Sequence, residues 1–158
     1  MQKGLKKLTA SEVRKKIYHY CAYQERSHQE VKNKLYDLEL SSSEIEEMIS
    51  HLITEGYLNE ERFAKAFVGG KFRIKNWGRI KIVNALEAKG LTKNCIRIGL
   101  QEIDDTDYRR TIELLIFKKL DQTDEGNIYV KREKLATHVI QKGFEPELVW
   151  EILKEVIK

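Results

Sequence analysis

Six apolar positions recur three times along this 158-residue chain, with 51 and then 53 residues between equivalent positions. In every copy the last three positions follow the spacing i, i+4, i+7, which is the stripe that an amphipathic helix buries. A pattern of this period predicts tandem copies of one structural unit. The three sets are Val31, Leu35, Leu40, Ile45, Ile49 and Leu52; Ile82, Leu86, Leu91, Ile96, Leu100 and Ile103; and Leu135, Val139, Phe144, Val149, Leu153 and Val156.

A helix break lies between the second and third apolar positions of each copy. Gly90 and Gly143 each follow a lysine, and we expect both glycines to end a helix in the left-handed conformation. Thr92 and Pro146 then suit the start of the next helix. The first copy has Glu39 in place of glycine, so its turn is either different or strained by about 1 kcal/mol.

A further amphipathic segment precedes each of these helix pairs, which makes every unit three helices long. The three segments cover roughly residues 10–24, 60–74 and 107–120. Residues with N-capping side chains precede several of the predicted helices. They are Ser27 and Ser41, each with a glutamate three residues later, and Asn59.

The composition agrees with an all-α fold, since the chain has one proline and no Asn-Gly or Asp-Gly hairpin turn between alternating segments. We therefore predict three tandem three-helix repeats, at residues 10–55, 56–105 and 106–158. A unit of about 50 residues has little core of its own, so neighbouring repeats are expected to share buried surface. The expected overall shape is an elongated, curved rod.

Signatures of catalysis and of metal binding are missing from the sequence. It contains no phosphate-binding or dinucleotide-binding glycine motif, and no nucleophile paired with a base. Its four histidines lack metal-ligand spacing, and Cys21 and Cys95 form no Cys-x-x-Cys pair. We interpret both cysteines as core residues. From these absences we predict a protein that binds large partners, uses no cofactor or metal, and is not an enzyme.

The expected location is the cytoplasm. No stretch of the sequence approaches the roughly 20 apolar residues that span a bilayer. The first residues, Met1 to Leu8, carry charge but no apolar run of signal-peptide length. We expect a monomer with no membrane partner.

Positive charge is concentrated on the middle repeat. Residues 62–93 include nine lysines and arginines and one acid, Glu87, whereas residues 35–61 include eight acids and no lysine or arginine. Because opposite charges guide encounters between macromolecules, this distribution favours a partner with an acidic surface.

Residues 71–81 interleave five cations with Phe72 and Trp77. Such a segment can contact phosphates, stack on a base, or meet an acidic protein face. The alternative is a solvated charged face, with Trp77 anchoring the turn in the core. The candidate partner-binding residues are Arg26, Arg62, Lys71, Arg73, Lys75, Trp77, Arg79, Lys81 and Lys89.

The first two repeats carry the motifs of a known family. Residues 56–64 read Gly-Tyr-Leu-Asn-Glu-Glu-Arg-Phe-Ala, and residues 77–91 contain Trp-Gly-x-x-Lys-Ile and then Leu-x-Ala-Lys-Gly-Leu. Upstream, residues 26–31 read Arg-Ser-x-x-Glu-Val. Together these closely resemble RecX, a family of bacterial regulators of RecA recombinase. The resemblance extends from about residue 10 to the C-terminus and is only architectural in the third repeat.

The chain departs from the family pattern beside the basic segment. Arg79 stands where the family often has proline, Ala85 replaces a frequent glutamate, and Gly69-Gly70 is an unusual pair. For the two glycines, a kink or close helix packing is one interpretation, and a hinge before the basic segment is the other.

The resemblance implies a protein that binds the RecA nucleoprotein filament along its helical groove. It further implies restraint of ATP hydrolysis and strand exchange in homologous recombination, DNA repair and the SOS response, with DNA contacted weakly or within the filament. Two alternatives stay open at this point. One is direct DNA binding through a helix-turn-helix, and the other is an interaction scaffold unrelated to recombination.

Overall fold

The computed structural model describes residues 8–158, so the interpretation of Met1 to Lys7 lies outside the described part. Within that part the chain forms nine α-helices and no strand, which confirms the all-α prediction. Also within it, no helix has the length and apolar character needed to cross a membrane. The helices are α1 (Ala10–Tyr23), α2 (His28–Asp37), α3 (Ser42–Thr54), α4 (Glu60–Arg73), α5 (Arg79–Ala88), α6 (Lys93–Leu100), α7 (Asp105–Leu120), α8 (Ile128–Ile140) and α9 (Pro146–Val156).

The helices pack in three consecutive groups, which we name unit 1 (α1–α3), unit 2 (α4–α6) and unit 3 (α7–α9). All eighteen apolar repeat positions are buried or partly buried, so the repeated pattern marks the core. α7 begins at Asp105, one residue before the predicted start of the third repeat. The fold is an elongated helical repeat, and among residues 8–158 no buried cluster contains residues of both unit 1 and unit 3.

The turns follow the chemistry expected from the sequence. Gly90 has a φ of +82° and Gly143 a φ of +98°, which confirms that both glycines adopt the left-handed conformation. Glu39 adopts it too, with a φ of +67°, so the first copy has the same turn in its strained form. The predicted N-caps Ser27, Ser41, Asn59 and Thr92 each accept a backbone hydrogen bond, and Pro146 opens α9.

Two hydrophobic cores are present among the described residues, and they divide the units unequally. Units 2 and 3 share one core, which confirms the expected sharing for this pair. Unit 1 has a core of its own, closed by Leu58 from the connection to α4. The expectation of a shared core was therefore wrong for units 1 and 2.

The contacts between units 1 and 2 explain this separation, because the facing surfaces are polar. Arg62 Nε lies 2.9 Å from Glu25 Oε2, and the backbone N–H of His28 donates to Glu60 at 2.9 Å. Lys89 Nζ lies 3.8 Å from Glu30 Oε2. Charged groups that remain partly solvated do not favour burial in a common apolar core.

Units 2 and 3 meet through backbone packed against backbone at Gly78. Its N–H donates to the carbonyl of Lys142 at 2.8 Å, and the N–H of Ile80 donates to the carbonyl of Gly143 at 2.9 Å. A Cβ on Gly78 would overlap the backbone of Gly143 and Phe144. Glycine is therefore required at this position for steric reasons, although its φ of −80° is available to any residue.

The paired glycines at 69 and 70 lie inside α4, which continues through them to Arg73. Gly69 is buried, and a Cβ there would meet the guanidinium of Arg73, so its lack of a side chain leaves space for Arg73. Gly70 has open space around its Cβ position. Because Arg73 belongs to α4 itself, this contact is not packing against another helix, and the close-packing interpretation stays a prediction.

We expect Gly78→Ala to lower the free energy of unfolding by about 1–3 kcal/mol, because the added methyl group overlaps backbone that cannot rotate away. Gly70→Ala is the matched control and should raise it by about 1 kcal/mol, since alanine favours the helix and nothing obstructs the methyl. Urea unfolding of both variants measures the difference. Equal stability of the two would contradict the proposed steric role of Gly78.

Candidate partner-binding surface

Lysines and aromatic rings alternate along one face of unit 2. Phe63, Phe67 and Lys71 recur every four residues on α4, so they lie on one side of that helix. Trp77 follows in the turn, and α5 places Lys81 and its C-cap Lys89 eight residues apart on the same side. We call these six residues the lysine–ring row.

Distances within the row place each lysine beside a ring. Lys89 Nζ lies 5.8 Å from the centroid of Phe67, and Lys71 Nζ lies 5.4 Å from the same centroid on α4. The indole of Trp77 has Lys71 Nζ at 4.7 Å and Lys81 Nζ at 4.5 Å. These are cation–π distances, and such contacts hold an ammonium group in place without neutralising its charge.

The row keeps most of its positive charge unpaired. Among the described residues, Lys71 and Lys81 have no carboxylate partner, while Lys89 pairs with Glu30 of unit 1. Ala85 lies between Lys81 and Lys89 on α5 and contributes no negative charge. Phosphate or carboxylate groups of a partner can therefore approach these ammonium groups.

Lys75 lies next to the row, in the turn between α4 and α5. Its side chain is exposed and has no ion-pair partner within residues 8–158. Asn76 adopts a left-handed conformation with a φ of +57° and directs the chain into Trp77. The turn therefore presents a free cation beside an aromatic ring that is packed against the core.

Arg79 is built into the junction between units 2 and 3. One guanidinium nitrogen lies 3.3 Å from a Glu145 carboxylate oxygen, another lies 2.7 Å from Asp105, and the group stacks 3.9 Å from the ring centre of Tyr108. The Tyr108 hydroxyl donates to Glu145 and accepts from the backbone N–H of Arg79. Burial raises the pKa of Tyr108 far above its ordinary value, so it stays a hydrogen-bond donor at every physiological pH.

The other candidate arginines also make contacts within the chain. Arg62 donates to Glu25 and to the carbonyl of Gly56, which joins units 1 and 2. Arg26 donates to the carbonyl of Tyr20 at 2.9 Å, with its guanidinium stacked on that ring. Arg73 donates to the carbonyl of Glu102 at 3.2 Å. For the arginines, a role in partner binding stays a prediction beside these internal contacts.

Sequence reasoning missed Phe67, whose ring joins Lys89 and Lys71 into one row. The signal was available, because Phe67 lies four residues after Phe63 and four before Lys71. The sequence could not show that lysines of α5 lie beside these rings, since their position depends on how α4 and α5 pack. The interpretation of Trp77 as an anchor of the turn is confirmed by its packing against the shared core and Phe67.

The cysteines are located as expected. Cys21 is buried in the core of unit 1, and burial raises the pKa of its thiol. Cys95 is partly buried and packs against the shared core. Over the described residues, no group of three or more metal-ligating side chains comes together.

Comparison with known proteins identifies the family from the first two units. A model described as "RecX, first three-helix domain" matches residues 14–52, and one described as "RecX, second three-helix domain" matches residues 59–100. Together they cover just over half of the chain. The chain belongs to the RecX family.

Proteins named regulatory protein RecX are similar to it over 87% of its length. The relative from Prosthecochloris aestuarii is 28% identical over 140 residues, which are 89% of that protein. The relative from Oceanobacillus iheyensis is 25% identical over 138 residues. There the chain spans only 51% of the relative's length.

Solved RecX structures share the fold. The crystal structure of RecX from Lactobacillus salivarius superposes with a TM-score of 0.85 at 24% identity, covering 92% of this chain and 95% of that one. A second crystal structure of regulatory protein RecX gives a TM-score of 0.78 at 18% identity, covering 98% and 83%. At these identities the comparison supports the helical repeat architecture and nothing finer.

We expect Arg79→Met to lower the free energy of unfolding by about 1–3 kcal/mol, because it leaves Glu145 without its cation and removes the stacking on Tyr108. The matched control is Lys75→Met, which removes an exposed cation without a partner and should change stability by no more than about 0.5 kcal/mol. Urea unfolding measures both. If Arg79→Met were as neutral as Lys75→Met, the junction would not depend on this arginine.

Proposed function

We propose that this RecX-family chain regulates RecA recombinase by binding its nucleoprotein filament through the lysine–ring row and Lys75. In this proposal it acts in the cytoplasm as a monomer, by binding and not by catalysis. Binding restrains ATP hydrolysis and strand exchange, and so limits recombination, DNA repair and the SOS response. DNA contributes to the contact weakly, within the filament.

The observation that supports this proposal most is the unpaired charge of Lys71, Lys75 and Lys81. The arginines of the same region form salt bridges within the chain. These three ammonium groups, in contrast, have no carboxylate partner among the described residues. A filament of RecA on DNA is a repeating acidic surface. Positive groups held on a rigid helical face can meet such a surface with little loss of side-chain entropy.

The repeat architecture supports the same proposal through geometry. Three units in a row can reach adjacent filament subunits, so that several modest contacts act together and raise the overall affinity. Because the contacts are ionic and lie at the surface, binding should weaken steeply as salt concentration rises.

We expect the double variant Lys71→Glu with Lys81→Glu to weaken binding to RecA-coated single-stranded DNA by about tenfold or more, because repulsion replaces attraction at two contacts. The matched control is Lys32→Glu with Lys65→Glu, which makes the same change in net charge at exposed positions outside the row. Titration of each protein into RecA filaments, read by ATP hydrolysis and strand exchange, measures the effect.

The outcomes separate the specific site from general charge. Equal weakening by both double variants would mean that net charge alone matters, which contradicts a role for the row. Unchanged ATP hydrolysis and strand exchange at saturating wild-type protein would reject the RecA proposal and leave the scaffold interpretation.

Direct binding to duplex DNA is a second candidate, because Lys93, Asn94 and Arg97 are exposed at the start of α6, after the short turn from α5. Two observations weigh against it. Arg97 donates to Asn94 at 2.7 Å, so two of these polar side chains are already engaged with each other. The equivalent helix of unit 1, α3, has Glu44 in its first turn and Glu46 and Glu47 directly after it. Sequence-selective binding of naked duplex, lost in Arg97→Ala, would favour this candidate over the first.

A further inference from the structure

A second cationic surface with exposed rings lies on unit 1, away from the row. It is a groove of about 800 Å³ along the outer side of α1, opposite the stripe that α1 buries. α2 closes one side of it through Lys34, and Arg26 in the connection between α1 and α2 forms its end. The groove is lined by Glu12, Lys15, Lys16, His19, Tyr20, Tyr23, Arg26 and Lys34.

The two tyrosines of the groove differ in their surroundings. Tyr20 is partly buried, with the guanidinium of Arg26 3.7 Å from its ring centre and Lys34 Nζ 5.6 Å away. Tyr23, at the end of α1, is 75% exposed, and the core does not use its ring. Its nearest partners are His19, whose ring centre lies at 6.4 Å, and Arg26 at 6.0 Å. One face of an aromatic ring is therefore open to a planar ligand, with cations nearby.

The charge of the groove is strongly positive. Lys15, Lys16, Arg26 and Lys34 line it against one carboxylate, that of Glu12. A Glu12 oxygen accepts the backbone N–H of Thr9 at 2.9 Å as part of the α1 capping box, which keeps this carboxylate at the start of the helix. Lys15 and Lys16 lie one turn before His19 and Tyr20, so the cations run alongside the rings. Such a surface fits a polyanion that carries flat groups.

The groove adjoins the lysine–ring row across the boundary between units 1 and 2. Lys34 lies one helical turn after Glu30 on α2, and Glu30 is the partner of Lys89, the end of the row. A chain-like polyanion that leaves the groove past Lys34 therefore meets Lys89 next.

We propose that this groove binds single-stranded nucleic acid without RecA, with phosphates on Lys15, Lys16 and Lys34 and a base stacked on Tyr23. A duplex keeps its bases stacked on one another, so an exposed tyrosine favours an unpaired strand. An acidic protein would satisfy the lysines but would leave the ring of Tyr23 without a planar partner.

The test is binding of a fluorescent oligothymidylate of about 12 nucleotides to the purified full chain, read by anisotropy with no RecA present. Tyr23→Ser should weaken binding about five- to hundredfold through the loss of stacking, and Tyr23→Phe should retain most of it. The matched control is Tyr36→Ser. Tyr36 is 73% exposed on α2 and lies outside the groove, so its loss should leave the affinity unchanged.

The phosphate contacts are tested by salt dependence. Lys15→Ala should make the slope of log affinity against log salt shallower by about 0.7, the value for one phosphate contact on a single strand. Lys32→Ala removes an exposed lysine of α2 outside the groove and should leave the slope as it is.

Three results would overturn the proposal: equal effects of Tyr23→Ser and Tyr36→Ser, equally tight binding of a duplex of the same length, or equally tight binding of polyglutamate. The last would assign the groove to an acidic protein partner instead. Since no RecA is present, these results leave the RecA proposal to its own test.

Discussion

The contact of the Gly78 backbone with the turn before α9 is the constraint on which the middle of the molecule depends. It fuses units 2 and 3 over one core, and it fixes where α5 begins relative to α4. The turn that carries Lys75 and Trp77 lies directly before this contact, so the geometry of the lysine–ring row follows from it. Arg79 and Tyr108 reinforce the same junction with ion pairs and stacking. The surface that we propose for a partner thus lies next to the junction of units 2 and 3.

The arginines and lysines of this protein make different contacts, and the difference follows from their chemistry. A guanidinium presents several N–H groups in a plane, so Arg62 and Arg79 can each satisfy two acceptors inside the protein at once. An ammonium group on a flexible stem gains less from one fixed internal partner. Lys71 and Lys81 instead lie over Trp77, which positions them and leaves their charge available. The same contrast holds in unit 1, where Arg26 stacks on Tyr20 and Lys15 and Lys16 stay solvated.

Most of the fold could be predicted from the sequence, because a helix that buries one face has apolar residues at a regular spacing. The eighteen repeat positions, the capping residues and the left-handed glycines all have local causes, and each could be predicted from its immediate neighbours. The candidate surface was predicted only in part. A count of basic residues located this surface in unit 2. The count did not distinguish Arg79, which forms ion pairs at the junction of units 2 and 3, from Lys81, which is exposed.

The sequence by itself determined the all-helical repeat, its turns and the placement of positive charge, since these depend on propensities and periodicities within a few turns of chain. Tertiary structure alone decided which units share a core, which cations are free, and which rings lie beside them. Glu25 and Glu145 are ordinary acids in the sequence, and they acquire their roles only when folding brings Arg62 and Arg79 to them from 37 and 66 residues away. Interactions of that range depend on how the helices pack, and helix packing leaves no local signal in the chain.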